Sequence, residues 1–287
     1  MTTLPERAAR RCYAVVNPIH SAIYFSPDLG REFARAGLDN GRAAYFAARA
    51  APLGRAGAGA VTATFYNFKH ELVARHLPRV WDIVSPEAAL DARLRAVDSL
   101  LRRLLGEEAV ASKELAEAAE LALRATEACA RPARPLYAAN ADLPVPDAPH
   151  LAYWHAATLL REYRGDGHLA ALALAELDPL EALASHTASG HGMSPKWILS
   201  SRGWTPEEWE AARERLRERG LLETDGELTP AGTDLRKALE DETDRLDRAP
   251  YEHLGEAGVA RLTELAGGFA EAALAAGAFP ADLLGKH

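Results

Sequence analysis

Arg164-Gly-Asp-Gly-His168 sets a guanidinium, a carboxylate and an imidazole within five residues. That set suits anion recognition beside an acid–base group, or a metal ligand held by a carboxylate behind it. Asp166 also has a simpler role open to it, because a carboxylate ahead of Gly167 caps a helix starting there and the glycines permit a tight turn. A second set is His20, Ser21 and Tyr24, where His20 and Tyr24 share one helix face and could line a pocket. The competing reading is a hydrogen-bonded core histidine. Asn67, among the aromatics of Phe65-Tyr-Asn-Phe68, needs an explanation because buried amides require partners. His186 and His191 flank Thr187-Ala-Ser-Gly190, and tertiary approach to His168 would make a three-histidine site. His168 and His186 are the metal-ligand candidates of that set. Their spacing follows no standard zinc pattern, and His186 also suits a helix C-terminus. No Gly-rich phosphate loop, Gly-x-Ser-x-Gly elbow or zinc-protease helix motif occurs, so nucleotide hydrolysis and serine-hydrolase chemistry find no support.

The elements that must position these groups are mostly helices. The chain has 287 residues, 48% hydrophobic and 26% charged, with only 7% aromatic residues. Alanine and leucine dominate, which favours helix. Cys12 and Cys129 lie far apart and outside metal-ligand spacing, as free thiols of a reducing compartment do. The first residues lack the apolar core of a signal peptide, and no apolar run approaches membrane-spanning length. These features predict a cytoplasmic protein with no membrane partner.

Helix starts stand out. Ser26-Pro27, Ser85-Pro86, Ser194-Pro195, Thr205-Pro206 and Thr229-Pro230 each put a hydroxyl cap before a first-turn proline, and Thr205 with Glu208 has capping-box spacing. Helices are expected at about 9–24, 27–36, 40–51, 56–76, 86–105 and 112–130. A proline-rich stretch then reads as a linker at 131–149, separating an N-terminal helical domain (1–130) from a C-terminal one (150–287). In the second half helices are expected at about 149–163, 167–176, 179–188, 195–201, 206–219, 230–247 and 255–279. Asp225-Gly226 between short apolar runs signals a type I′ hairpin and a two-stranded wing of minimal length. The expected architecture is mainly α with a small two-stranded β-wing.

Leu216-Arg-Glu-Arg-Gly-Leu-Leu222, the Asp-Gly turn and Leu228-Thr-Pro-Ala-Gly-Thr-Asp-Leu235 resemble the recognition helix, wing and following helix of MarR-type winged-helix proteins. The likeness covers about 165–250 and implies a helix-turn-helix fold, with DNA as partner and pairing into a homodimer through terminal helices. The whole chain also resembles an actinobacterial family. That family joins an N-terminal helical region, here His20-Ser-Ala-Ile-Tyr-Phe-Ser-Pro27, Ala50-Ala-Pro-Leu-Gly54 and Phe65-Tyr-Asn-Phe68, to Arg164-Gly-Asp-Gly-His168 and a MarR-like domain. No activity transfers from it.

Charge pulls against DNA. The net charge is −8, whereas duplex binders carry a basic patch because phosphate neutralisation supplies much of their affinity. Trp209, Ala212 and Leu216 face the core by helical spacing, which turns Glu207, Glu210, Glu214 and Glu218 outward among Arg213, Arg217 and Arg219. The wing carries Glu223, Asp225 and Glu227 and no base. The leading expectation is therefore a repurposed winged helix. Its two halves would bind a small molecule or cofactor, with metal or haem among the candidates, lined by His20, Tyr24, Asn67, Arg164, Asp166 and His168, and an enzyme of specialised metabolism would fit. The alternative is a ligand-responsive DNA-binding regulator using Arg213 and Arg217.

Overall fold

The computed structural model describes residues 4–284. Helices dominate, as alanine- and leucine-rich periodic stretches dictate. In the first half these are α1 (Ala8–Ser21), α2 (Pro27–Arg35), α3 (Gly41–Ala50), α4 (Ala58–Phe65), α5 (His70–His76), α6 (Pro86–Val110) and α7 (Lys113–Thr126). Then come α8 (Pro135–Ala141), α9 (Pro149–Leu174), α10 (Pro179–Ala188), α11 (Pro195–Arg202), α12 (Pro206–Glu218), α13 (Pro230–Leu246) and α14 (Arg248–Ala275). No helix is long and apolar enough to cross a membrane among the described residues.

Two compact units form, each from separate stretches of chain. One comprises Met1–Ala56, Pro78–Asp166 and Leu246–Phe279. Within it α1 packs on α14, α14 on α7 and α2 on α6, around Phe33, Phe46, Leu100, Leu115, Trp154 and Tyr251. The other comprises Gly57–Leu77, Gly167–Arg245 and Pro280–His287. There α10 packs on α11 and α12, and Leu180, Ile198, Trp209, Leu216, Leu222 and Leu239 share one core.

The Ser/Thr-Pro pairs start helices where the sequence places them. Ser26 accepts the Asp28 amide at 3.1 Å, Ser85 accepts Ala88 at 3.2 Å and Thr229 accepts Gly232 at 2.9 Å. Ser194 differs: its hydroxyl donates to the Asp282 carbonyl instead, so α11 begins without a side-chain cap. The stretch expected as one helix at 56–76 is two, α4 and α5, separated at Tyr66, whose φ of 56° ends α4. The expected break at Arg164-Gly-Asp-Gly-His168 is absent, and α9 runs through it. Glycine in a helix interior costs only about 1 kcal/mol, which flanking apolar turns readily offset.

The β-wing is not formed: the described residues contain no β-strand. Leu222 and Leu228 make an isolated antiparallel bridge, supported by Glu223 N–H donating to the Glu227 carbonyl at 2.8 Å and Thr229 N–H to Leu221 at 3.2 Å. Two causes stop it becoming a ribbon. Gly220 and the cap of α13 leave each arm about two residues long. The turn is also not type I′, which needs positive φ at both central residues, because Gly226 has φ 94° while Asp225 is not left-handed.

Candidate functional site

In the second unit, α11, a three-residue turn and α12 make a helix-turn-helix. Gly203 forms the turn with φ 86°, and a Cβ there would lie 2.8 Å from Leu72 Cβ, so only glycine fits. Thr205 then caps α12 reciprocally, accepting from Glu208 N–H at 3.2 Å while the Glu208 carboxylate accepts Thr205 N–H at 2.9 Å. The segment 57–77 braces this turn. Trp204 Nε1 donates to the Asn67 carbonyl at 3.0 Å, Lys69 N–H donates to the Arg202 carbonyl at 3.0 Å, and the Lys69 ammonium pairs with Glu208. Asn67 thus contributes its backbone to the turn, and its side-chain oxygen is buried without a partner.

Trp209, Ala212 and Leu216 bury one face of α12. Its arginines divide into two groups. Arg215 donates to Asp178 at 2.5 Å and Glu181 at 2.9 Å, and Arg219 reaches Glu181 at 3.2 Å, so both tie α12 to the start of α10. Arg213 and Arg217 lie on the outward stripe with Glu210 and Glu214. Glu210 takes Arg213 on one oxygen and Arg217 on the other, each at 2.8 Å, while Arg217 also holds Glu214 at 2.7 Å. Slight burial works against the Glu210 carboxylate, but Arg217 and Arg213 keep its pKa below the ordinary value. The Arg213 guanidinium lies against Gly226, where a Cβ would come within 2.5 Å of Nη2. Both arginines of this stripe are thus covered by neighbouring carboxylates.

The other residues singled out by sequence fall into several environments. In the first unit His20 is buried beside Tyr24 and stacked on Trp154. Burial drives its pKa down to about 3, so the ring is neutral and carries one N–H. Thr158 gives its own proton to the Trp154 carbonyl, so it accepts His20 Nδ1–H at 2.9 Å, and Nε2 takes the Tyr24 hydroxyl at 3.3 Å. Both ring nitrogens are thereby engaged. Next to them is a cluster that sequence reasoning missed: Glu162, 2% exposed, between Arg49 at 3.2 Å and Arg161 at 3.3 Å. Its signal was a set of charged residues on the otherwise apolar face of α9.

Arg164 and Asp166 point to different partners. Arg164 pairs with Asp247 at 3.4 Å and lies over the Tyr13 ring. Asp166 caps α8 rather than a helix at 167, accepting the Leu136 and Tyr137 amides at 3.0 and 2.9 Å. Burial lifts its pKa to about 6 against these two bonds. In the second unit His168 Nδ1 meets the Thr243 hydroxyl at 2.9 Å. His186 is held neutral by burial, with a pKa of about 4. Among the described residues no group of three His, Cys, Asp or Glu side chains could hold a metal ion.

No curated protein and no solved structure matches this chain. A family model described as a helix-turn-helix family does match, over residues 9–280, and so takes in both units rather than the α11–α12 segment alone. The chain therefore belongs to that helix-turn-helix family.

Proposed function

We propose that the protein is a DNA-binding transcriptional regulator in which α12 enters the major groove. The observation carrying this reading is the braced helix-turn-helix itself: a glycine-only turn, a reciprocally capped second helix and an outward stripe holding Arg213 and Arg217. Electrostatics shapes how it would bind. Over residues 204–245 there are thirteen acidic and seven basic residues, so general attraction to phosphate is weak and non-specific binding is suppressed. Contact requires Arg213 and Arg217 to exchange Glu210 and Glu214 for phosphate oxygens or base edges. Such exposed intrahelical pairs are worth about 0–1 kcal/mol each, a small barrier to exchange.

Changing Arg213 and Arg217 together to alanine should weaken binding to a selected duplex by about tenfold or more at low salt. The slope of log affinity against log salt should fall by about 1.8. Fluorescence anisotropy across a salt series measures both. Unchanged affinity and slope would remove α12 from the interface. One observation favours a second reading, a helix-turn-helix kept as a protein-interaction module: the three arginines of α12 and Arg219, which follows it, already have carboxylate partners. That reading requires no measurable duplex affinity at any salt concentration.

A further inference from the structure

Residues 182–206, which lead through α11 into α12, contain no Asp or Glu and carry Lys196 and Arg202. Lys196 stands in the first turn of α11, where a cation opposes the helix dipole and an anion is favoured. A carboxylate reaches this turn from farther along the chain, from Asp282 of the second unit. Its Oδ2 accepts from the Lys196 ammonium at 2.7 Å and its Oδ1 from the Trp197 indole N–H at 3.1 Å. Lys196 and then Trp197 hold the Asp282 carboxyl below its ordinary pKa, so it is ionised at neutral pH. Lys196 and Asp282 are both more than half exposed, which makes theirs a weak surface pair.

The backbone of the segment Pro280–Leu284 is tied to the same turn. Ser194 N–H donates to the Leu283 carbonyl at 3.0 Å, its hydroxyl donates to the Asp282 carbonyl at 3.2 Å, and Met193 and Leu284 form an isolated antiparallel bridge. Ser194 supplies a second and separate observation. With φ −64° and ψ 151° it has the backbone of an N-cap, close to that of Ser85 at φ −68° and ψ 158°, yet its hydroxyl caps nothing. Departure of the segment would free that hydroxyl to accept an α11 amide, as Ser85 does at the start of α6. Release therefore replaces the hydrogen bond to Asp282 with a helix cap.

We propose that Lys196 and Trp197 form a phosphate grip for duplex DNA, held closed in the free protein by the Asp282 carboxylate in the place of a phosphate. The grip rests on the DNA-binding reading of α12 and extends it to the first helix of the pair. In helix-turn-helix complexes that first helix crosses the sugar–phosphate backbone while the second reads base edges. An ammonium and an indole N–H that converge on the two oxygens of a carboxylate offer the same two donors to a phosphate. Duplex binding exchanges Asp282 for phosphate, so Pro280–Leu284 is an autoinhibitory segment that lowers affinity by the cost of its displacement.

The test is fluorescence anisotropy of full-chain variants on a selected duplex across a salt series. Lys196→Ala should weaken binding and lower the slope of log affinity against log salt by about 0.9. Asp282→Ala should tighten binding by about two- to fivefold, the range of an exposed ion pair. In the Lys196→Ala background Asp282→Ala should lose most of that gain, because the carboxylate no longer has an ammonium to occupy. This coupling separates displacement from a general loss of negative charge, which would act equally in both backgrounds. An equal gain in both backgrounds, no gain from Asp282→Ala, or unchanged affinity in Lys196→Ala overturns the grip alone when binding still depends on Arg213 and Arg217. No duplex affinity in the parent or in any of these variants overturns the DNA-binding reading together with it.

Discussion

Replacing Glu210 with glutamine should tighten the grip of the protein on duplex DNA by about tenfold at low salt, and steepen the salt dependence by about 0.9. Among the described residues Glu210 is the one carboxylate that engages both Arg213 and Arg217, one on each oxygen. Neutralising it removes a charge that would face phosphate, takes the carboxylate from Arg213 and leaves Arg217 with Glu214. Stability should barely change, because Glu210 is half exposed and surface pairs contribute about 0–1 kcal/mol. The direction is informative, since loss of a carboxylate that merely braced the helix would leave affinity untouched. Anisotropy titrations of the variant and the parent chain on one duplex distinguish the two outcomes.

The second large effect lies in the interior of the first unit. Glu162→Gln should destabilise the protein by about 3 kcal/mol, since it removes the buried charge that the part-exposed Arg49 and Arg161 both face. Denaturant unfolding reads it directly. Acid unfolding supplies the matching sign. Burial alone would raise the Glu162 pKa, but Arg49 and Arg161 hold it at about 2 against an ordinary 4.5. A carboxylate depressed on folding contributes stability that is present above about 4.5 and drains away as pH falls toward about 2. The shift corresponds to about 3 kcal/mol. The parent chain should therefore lose stability through this window faster than Glu162→Gln. Parallel acid limbs would contradict the assignment.

How far the sequence reveals this fold depends on how local each signal is. The capping box at Thr205 and Glu208 and the apolar triad Trp209, Ala212 and Leu216 are written within a dozen residues, and α12 follows from them. The wing rested on a dipeptide whose turn type demands two left-handed residues, and the chain supplies one at Gly226. The run Arg164-Gly-Asp-Gly-His168 carries turn punctuation, yet it is helical because Asp166 spends its carboxylate on the start of α8. That partner lies 30 residues upstream, where local reading has no purchase. The Arg49–Glu162 pair spans 113 residues. His20 and Tyr24 share a helix face as their spacing requires, but the neutral, doubly bonded state of the imidazole follows from Thr158, 138 residues away from His20.

The regulator reading meets its most direct test in selection of duplexes from a random-sequence pool by the full chain at about 0.15 M salt, where non-specific binding of an acidic surface is suppressed. Enrichment of a defined motif is expected, and loss of that enrichment when Arg213 and Arg217 are both alanine. A pool that stays random after repeated rounds, with the protein folded throughout, would contradict it.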